Sequence, residues 1–313
     1  MDDIFANKKI FITGGTGSLG SALTQKILKT KASTIRIYSR DEGKQSEMES
    51  NLKDDRLRFL IGDIRDKSRL SRALENIDIV IHAAALKQVP TAEYNPFEAV
   101  KTNVEGTQNL IESCLDNDVE KMLAIGTDKA VSPFNTYGAT KFLMERLVVS
   151  ADRYKGEHKT KFICIRYGNV LGSRGSVIPL WDKRLEKNKP LPITHPDMTR
   201  FVLTLSQAID LVFYSLKNGK GGEIFVKKAP ATKMINLARA YAELKTGKKN
   251  YPLEYIGIRA GEKIDEVLVS EEEMRRVSEK KDHFVIKRES LIDKNYLKKS
   301  TKLVEYGSGT IPP

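Results

Sequence analysis

The first half of the chain alternates short apolar runs with helical patterns, and this alternation constrains the fold more than any other feature. The runs are rich in β-branched residues and predict strands at residues 9–13, 34–39, 57–62, 77–84, 122–126 and 162–166. Helical patterns lie between them, notably at residues 21–29, 98–116 and 136–152. Repeated βαβ units favour a parallel sheet with helices on both faces. The predicted fold class is therefore α/β, with a Rossmann-type doubly wound parallel sheet.

The second half of the chain has a different pattern. Four prolines interrupt it between residues 179 and 196, and helices are predicted near residues 206–217 and 234–244. We interpret this part as a smaller mixed α/β substrate-binding lobe over the carboxyl ends of the strands. Residues 1–170 and 200–228 are assigned to the Rossmann domain, and residues 171–199 and 229–313 to the lobe.

Composition excludes several classes of protein. The 313 residues are 40% apolar and 30% charged, as in ordinary globular proteins. No apolar run approaches the roughly 20 residues needed to span a bilayer, and the acidic start is unlike a signal peptide. The net charge of +12 is not concentrated in a basic stripe typical of nucleic-acid binding. We expect a cytoplasmic protein without membrane, nucleic-acid or metal binding, and with buried thiols at Cys114 and Cys164.

A glycine-rich turn at residues 13–20 joins the first predicted strand to the first helix. It contains G-x-x-G-x-x-G and an overlapping G-x-G-x-x-G. Such glycines permit a tight turn and let a pyrophosphate approach the backbone and the helix N-terminus. The turn therefore indicates a nicotinamide dinucleotide site. The predicted contacts within it are Gly14, Thr16, Gly17, Ser18, Leu19 and Gly20.

The end of the second predicted strand bears on which dinucleotide is bound. Ser39 and Arg40 stand where an NAD site usually has an acidic residue, and an arginine can pair with a 2′-phosphate. NADP is therefore the predicted cofactor; NAD is less favoured, although Asp41 could serve it one residue later. Asp63 could accept a hydrogen bond from the adenine amino group. The remaining predicted cofactor contacts are Lys44, Ile64, Ala83, Ala84, Ala85, Lys87, Tyr137, Lys141, Tyr167 and Val170.

Two short motifs predict the chemical centre. Tyr137 and Lys141 are four residues apart, hence on one face of a helix. An ammonium beside a phenol lowers the pKa of the phenol, so Tyr137 could take a proton from a sugar hydroxyl while hydride leaves its carbon. Thr127, Asp128 and Lys129 follow the fifth predicted strand and complete the predicted catalytic set.

These motifs resemble the extended short-chain dehydrogenase/reductase family, and more closely its inverting UDP-N-acetylglucosamine 4,6-dehydratases. The resemblance spans nearly the whole chain and rests on residues 13–20, 38–42, 84–90, 127–130, 137–141, 166–177, 198–201 and 259–263. Thr-Asp-Lys at residues 127–129 is the most informative part. Retaining hexose dehydratases usually carry Thr-Asp-Glu there, and simple 4-epimerases lack the acid–base pair.

The resemblance implies a reaction on a UDP-sugar. Oxidation at C4 acidifies the C5 proton, which Lys129 removes if it is neutral. Asp128, if protonated, donates to the departing C6 hydroxyl. Hydride returns to C6, and C5 is reprotonated on the opposite face. Burial and the nearby positive charges of Lys87 and Lys141 are expected to lower the pKa of Lys129 enough for this role.

The resemblance also implies how the substrate is held. Three arginines from separate loops are predicted to bind the diphosphate, and Glu262 the ribose hydroxyls. Asn103 is predicted to support the active-site backbone, and His82 to be a core residue. Ala260 departs from the family, which usually has proline there, and this weakens the assignment of Arg259. The predicted substrate contacts are Lys87, Asn169, Arg174, Val177, Thr199, Arg200, Arg259 and Glu262.

Other functions stay open at this point. One is a UDP-sugar C4 or C5 epimerase on the same fold. Another is a non-catalytic dinucleotide-sensing protein, although such proteins commonly lose the tyrosine–lysine pair that this chain keeps. The preferred sugar is open too, between UDP-N-acetylglucosamine, UDP-glucose and UDP-N-acetylgalactosamine. The resemblance implies a homo-oligomer, either a dimer or a hexamer.

Overall fold

A computed structural model describes residues 3–288 and 304–311 of the chain. The strands in this part are β1 Lys9–Thr13, β2 Thr34–Ser39, β3 Leu57–Ile61, β4 Ile79–His82, β5 Lys121–Ile125, β6 Lys161–Arg166, β7 Asn169–Val170, β8 Leu191–Ile193, β9 Thr199–Leu203, β10 Glu223–Lys227, β11 Ala231–Lys233, β12 Leu253–Tyr255, β13 Val267–Val269, β14 Val277–Glu279, β15 His283–Ile286 and β16 Tyr306–Gly307. The helices are α1 Ser18–Ile27, α2 Glu42–Leu52, α3 Lys67–Ala73, α4 Val89–Tyr94, α5 Pro96–Val100, α6 Gly106–Asp116, α7 Thr136–Tyr154, α8 Val177–Glu186, α9 Leu205–Asn218, α10 Met234–Thr246 and α11 Glu271–Met274. A π-helical turn, Lys101–Glu105, joins α5 to α6, and a 3-10 turn covers Asp128–Ala130.

The central sheet confirms the predicted fold class. Within the described residues it has nine strands in the order β14-β15-β10-β6-β5-β4-β1-β2-β3. Seven neighbouring strands of this sheet are parallel: β10, β6, β5, β4, β1, β2 and β3. Strands β15 and β14 add an antiparallel edge beside β10. The order of the first six strands is that of a Rossmann fold, in which ligands bind at the carboxyl ends of the strands.

Alternating side chains on the strands build a core on each face of the sheet. In β1, Ile10 and Ile12 belong to the cluster packed against α1 and α9, whereas Phe11 belongs to the cluster packed against α3, α6 and α7. All three side chains are fully buried, and each burial stabilises the fold by about 1.5–3 kcal/mol. The thiols of Cys114 and Cys164 are free and buried, as predicted.

The smaller lobe has its own core, centred on the fully buried indole of Trp181. Its cluster contains residues of α8, β8, α10 and the segment before β12. The domain boundaries differ from the predicted ones in two places. Strands β14 and β15 join the central sheet although residues 229–313 were assigned to the lobe, and β9 pairs with β7 and β11 outside that sheet. Local sequence patterns do not show which sheet β14 and β15 join, because a hairpin near the end of the chain can pair with the edge of a sheet formed by residues far before it.

The long helix predicted at residues 98–116 contains the π-helical turn, and α5 begins two residues earlier than that prediction, at Pro96. The strand predicted at residues 77–84 extends only over β4, because the chain leaves the sheet after His82 to form the wall of a cleft. Among the described residues, none of the helices combines the length and the apolar character required to cross a bilayer.

Candidate active site

The carboxyl ends of the parallel strands open into a cleft of about 1120 Å³, lined by residues of both the sheet and the lobe. Every predicted site residue except Thr199 lines it. These residues are Gly14, Thr16, Gly17, Ser18, Leu19, Gly20, Ser39, Arg40, Lys44, Asp63, Ile64, Ala83, Ala84, Ala85, Lys87, Thr127, Asp128, Lys129, Tyr137, Lys141, Tyr167, Asn169, Val170, Arg174, Val177, Arg200, Arg259 and Glu262. Their common location agrees with the sequence analysis, and their individual ligand contacts stay predictions.

The glycine turn has the shape that a dinucleotide requires. Gly14 has a φ of 64°, and a Cβ there would lie 2.8 Å from the Ala84 Cα. Gly17 precedes α1, and no side chain in the described part of the protein caps the first N–H groups of that helix. Open N–H groups at a helix N-terminus bind phosphate. The turn therefore fits a pyrophosphate laid against its backbone.

Arg40 lies at the rim of the cleft, with 64% of its side chain exposed and its Nη1 3.6 Å from Asp63 Oδ2. The Asp41 carboxylate caps α2 by accepting from the Lys44 N–H at 2.9 Å, and it also pairs with the Lys44 ammonium. Asp63 accepts from the Arg65 N–H at 3.0 Å and from its guanidinium at 2.7 Å. Both carboxylates thus already accept hydrogen bonds from neighbouring groups, while the Arg40 guanidinium stays largely exposed at the cleft; the adenine contact of Asp63 stays a prediction.

Two adjoining segments hold the predicted chemical groups. Thr127 caps the 3-10 turn that Asp128 begins after β5, and Tyr137 lies in the first turn of α7. Gly138 lets these segments touch, because a Cβ there would collide with the carbonyl oxygen of Lys129. The Thr127 hydroxyl donates to Asp128 Oδ1 at 2.9 Å and shares a hydrogen bond with Tyr137. The phenol of Tyr137 therefore lies next to the predicted acid–base pair, Asp128 and Lys129.

The predicted effect of Lys141 on Tyr137 is wrong for this structure. The Lys141 Nζ donates to the Ile125 carbonyl at 2.7 Å and contacts Met144 Sδ at 2.9 Å. Burial lowers the pKa of Lys141 to about 8. Burial also raises the pKa of Tyr137 to about 12, and the opposing charge is that of Lys129. Desolvation outweighs the attraction that was expected to form a phenolate.

Lys129 is held between two buried carboxylates. Its Nζ lies 3.1 Å from Asp128 Oδ1 and 3.1 Å from Glu266 Oε1, and these side chains are 1% and 2% exposed. Burial alone would lower the pKa of Lys129, but the two negative charges outweigh burial and raise it above its ordinary value. The expectation that Lys87 and Lys141 keep Lys129 neutral is therefore wrong for this structure.

Glu266 is a site residue that sequence reasoning missed. It directly precedes β13, and its N–H donates to the Ser308 hydroxyl at 2.9 Å. The loop before it is anchored by Lys263, whose Nζ donates to the Ser132 carbonyl at 2.6 Å. The available signal was its position shortly after the recognised motif at residues 259–263. Nothing in the local pattern indicates that it reaches Lys129.

Thr199 and Arg200 are placed differently from their predictions. The Arg200 guanidinium donates to the carbonyls of Thr199 at 2.6 Å, Ile264 at 2.8 Å and Lys263 at 2.8 Å. The Thr199 hydroxyl donates to Asp265 Oδ1 at 2.5 Å and does not line the cleft. This placement argues against the predicted substrate contact of Thr199. Arg200 holds the loop before β13 in place, which argues against its binding a diphosphate.

A loop from the lobe crosses the cleft beside the glycine turn. The Arg174 N–H donates to the Ser18 hydroxyl at 3.0 Å, and its carbonyl accepts from Lys87 Nζ at 3.2 Å. Burial, together with the Arg174 charge, lowers the pKa of Lys87.

Arg259 and Glu262, the predicted diphosphate and ribose contacts, also line the cleft. The Arg259 side chain is 53% exposed, and its Nε lies 3.5 Å from Glu262 Oε1.

Two supporting predictions are confirmed. Asn103 pairs with the backbone of Leu86, accepting from its N–H at 2.8 Å and donating to its carbonyl at 2.9 Å. The ring of His82 is buried between the hydroxyls of Thr13 at 2.7 Å and Thr107 at 3.0 Å. Burial lowers the pKa of His82 to about 3, so it is a neutral core residue.

The doubly wound sheet, the glycine turn and the cleft holding Tyr137 and Lys141 define the short-chain dehydrogenase/reductase class. Residues 10–288 match the family described as polysaccharide biosynthesis protein. The chain belongs to this family, and its relatives include proteins named as nucleotide-sugar dehydratases and epimerases.

Relatives with different names are almost equally similar. The UDP-N-acetylglucosamine 4,6-dehydratase (inverting) of Campylobacter jejuni is 46% identical over 90% of this chain and 84% of its own length. A UDP-glucose 4-epimerase of Rickettsia felis is 45% identical over 88% of this chain and 82% of its own.

Solved structures share the fold. The X-ray structure of Pen from Bacillus thuringiensis has a TM-score of 0.90 at 40% identity, covering 97% of this chain and 95% of its own. The dTDP-glucose 4,6-dehydratase DesIV from Streptomyces venezuelae, solved with NAD bound, has a TM-score of 0.74 at 22% identity, covering 82% and 86%.

Proposed function

We propose that this protein is an inverting 4,6-dehydratase that converts UDP-N-acetylglucosamine into UDP-2-acetamido-2,6-dideoxy-β-L-arabino-hexos-4-ulose. The observation that carries this proposal is the placement of Asp128 and Lys129 beside Tyr137 in the cleft. Inversion at C4 needs one proton acceptor, whereas dehydration also needs a base at C5 and an acid at C6. The name of the Campylobacter jejuni relative supports the same reaction.

The proposed cofactor is NADP, held by the backbone of the glycine turn and by Arg40. When bound, its nicotinamide supplies the hydride acceptor for C4 and the hydride donor for C6. The solved structure of DesIV contains NAD, which supports the dinucleotide class. The choice of NADP depends on Arg40, because Asp41 is engaged in capping α2.

The residues of the chain move the protons. Tyr137 takes the proton of the C4 hydroxyl, and the Lys129 charge and the Thr127 hydroxyl both act to lower its pKa against burial. Asp128 Oδ2 is buried and has no hydrogen-bond partner among the described residues. Such an oxygen is costly unless a ligand satisfies it, and the C6 hydroxyl is the ligand proposed. Lys129 takes the C5 proton after it has lost its own.

A C4 epimerase is the second candidate, and the name of the Rickettsia felis relative favours it. Epimerisation at C4 would use Tyr137 and the nicotinamide. It would leave the buried Asp128–Lys129 pair without a function, and keeping charges buried is costly. For this reason we place it after dehydration.

Incubation of the purified protein with UDP-N-acetylglucosamine tests the proposal. Mass spectrometry is expected to find a product lighter by one water, with one deuterium at C5 when the solvent is D2O. Turnover should continue without added reductant, because the hydride is returned within each cycle. An unchanged mass with inversion at C4 would instead establish the epimerase. UDP-glucose and UDP-N-acetylgalactosamine, assayed in parallel, rank the sugars.

Replacing Arg40 by alanine is expected to weaken NADP binding about 10- to 100-fold, as for loss of a charge-assisted contact of about 1.5–3 kcal/mol. NAD affinity should change little, because NAD lacks the 2′-phosphate. Titration calorimetry with both dinucleotides measures the difference. Arg58→Ala is the matched control, since Arg58 is on β3 outside the cleft lining. Equal losses for NADP and NAD in Arg40→Ala would contradict a phosphate contact.

A further inference from the structure

A second carboxylate contacts the Lys129 ammonium, and the reaction proposed above gives it no role. Glu266 Oε1 lies 3.1 Å from the Lys129 Nζ, the same distance as Asp128 Oδ1. Its side chain is 2% exposed, and its Oε2 is buried without a hydrogen-bond partner among the described residues. Burying a carboxylate is costly, and this one is held within reach of the proposed base.

Lys129 cannot act as a base while it is an ammonium. In this structure the pKa of Lys129 is raised by Asp128 and Glu266 despite burial, so the amine holds its proton at neutral pH. That proton has to move before the amine can accept another from C5. The side chain is only 21% exposed, which limits direct exchange with solvent. An acceptor within the cluster would solve this difficulty.

Within the described part of the chain, the charged and titratable groups facing Lys129 come from four segments: Asp128 beside it, Tyr137 on α7, Arg200 on β9 and Glu266 before β13. Arg200 carries a guanidinium, which has N–H donors and no site that could accept the proton. Its Nε is 4.0 Å from Glu266 Oε1, beyond hydrogen-bond distance. Tyr137 has by then taken the proton of the C4 hydroxyl, so it cannot accept a second one from Lys129.

The two carboxylates differ in their hydrogen bonds. Asp128 Oδ1 accepts from the Thr127 hydroxyl as well as from Lys129. Glu266 has only Lys129 within hydrogen-bond distance among the described side chains. Burial raises the pKa of Glu266, although Lys129 opposes this. Glu266 can therefore take a proton, whereas Asp128 is already assigned to the C6 hydroxyl.

We propose that Glu266 accepts the proton of the Lys129 ammonium, so that the neutral amine can take the C5 proton of the sugar. An N–H bond of Lys129 breaks and an O–H bond forms on Glu266. The ammonium and the carboxylate become neutral together, and nothing is oxidised or reduced. Glu266 does not contact the sugar. It acts through Lys129, by holding the proton that Lys129 gives up, and is therefore a positioning residue. This inference rests on the proposed dehydratase function.

The pH profile of turnover tests the inference, because a transfer within the pair leaves its total number of protons unchanged. If deprotonation of Lys129 occurs by transfer to Glu266, it makes no demand on the solvent pH. Wild-type kcat should therefore be nearly independent of pH between about 6 and 8. Glu266→Gln keeps the shape and an acceptor oxygen but cannot take the proton. Its kcat should fall about 100-fold near neutral pH, with little change in KM, and rise about tenfold per pH unit as Lys129 loses its proton to solvent.

Two variants guard against a merely structural effect. Glu266→Asp restores a carboxylate and should restore the flat profile, even if its rate is lower. Asp265→Asn is the matched neighbour on the same loop, bonded to Thr199 and absent from the cleft lining, and should keep the wild-type profile. Oxidation at C4 in a single turnover is measured by nicotinamide absorbance. It should still occur in Glu266→Gln, Glu266→Asp and Asp265→Asn.

The outcomes separate this inference from the proposed function. If the wild type does not release water from the sugar, the dehydratase function is wrong. If the wild type dehydrates and Glu266→Gln matches its rate, or is slower with an equally flat profile, only the role of Glu266 is wrong. If Glu266→Gln does not fold, Glu266→Asp decides, because a profile rising with pH in that variant contradicts the inference.

Discussion

Replacing Lys129 by methionine should nearly abolish water loss and C5 deuterium exchange, while oxidation at C4 continues at a reduced rate because Tyr137 loses a charge that lowers its pKa. Methionine has a similar length but no amine, so the sugar is oxidised and its C5 proton has no acceptor. Loss of a general base typically costs 10²–10⁴ in rate, and we expect a fall in kcat of about 10³. Mass spectrometry of the sugar in D2O and nicotinamide absorbance in a single turnover measure the two steps separately.

Lys129→Arg distinguishes loss of the base from loss of the charge. The methionine variant leaves Asp128 and Glu266 buried without the cation between them, which itself destabilises the protein. Arginine keeps a positive charge there but does not deprotonate in proteins, so it should be as inactive as methionine. Lys233→Met, at an exposed lysine paired with Asp197, is the control. Deuterium exchange at the wild-type rate in either Lys129 variant would show that another group is the base.

The second large effect is expected at a buried ion triad beneath the site. Arg166 on β6 is 1% exposed and pairs with Glu145 on α7 at 2.6 Å and with Glu273 on α11 at 2.9 Å. Its Nη1 also donates to the Leu268 carbonyl at 2.8 Å. Burial alone would lower the pKa of Arg166, but the two carboxylates raise it. The triad joins the helix of Tyr137 to the strand after Glu266.

Arg166→Met should lower the free energy of unfolding by about 3–5 kcal/mol, because two carboxylates then stay buried without their cation. The melting temperature should fall on the order of 10 °C. Adding Glu145→Gln and Glu273→Gln to the same chain should recover part of the loss, since the uncompensated charges are removed. Arg184→Met, which breaks an ion pair with the half-exposed Glu254, is the control and should cost less than about 1 kcal/mol.

The pH dependence of this variant has a definite sign. Without Arg166, burial holds the folded-state pKa values of Glu145 and Glu273 above their unfolded values; that of Glu145 is raised even in the wild type. A raised carboxyl pKa stabilises the fold below that pKa, and the stability is lost as the pH increases. The deficit should therefore be smaller at acid pH than at pH about 8. Chemical denaturation at two pH values checks it, and a deficit that grows on acidification would contradict the account.

Several features of the protein could be predicted from the sequence because their signals are local. The strands of the Rossmann half follow from apolar runs separated by helical periods, and the predicted bounds at residues 9–13 and 34–39 are those observed. The glycine turn lies at the junction where a helix N-terminus meets Ala84. The role of Asn103 was implied by the family resemblance, and that of His82 by its place at the end of a buried strand. Spacing along one helix likewise placed Tyr137 and Lys141 in the same cleft.

What the sequence by itself determined is which chemical groups reach the carboxyl edge of the sheet, because parallel strands bring their ends together whatever the loops do. The tertiary structure decided their partners and their protonation. Glu266 reaches Lys129 from a distant part of the chain, and Arg200 is bonded to backbone carbonyls. A pKa depends on burial and on charges a few ångströms away, and neither is encoded in the spacing of a motif.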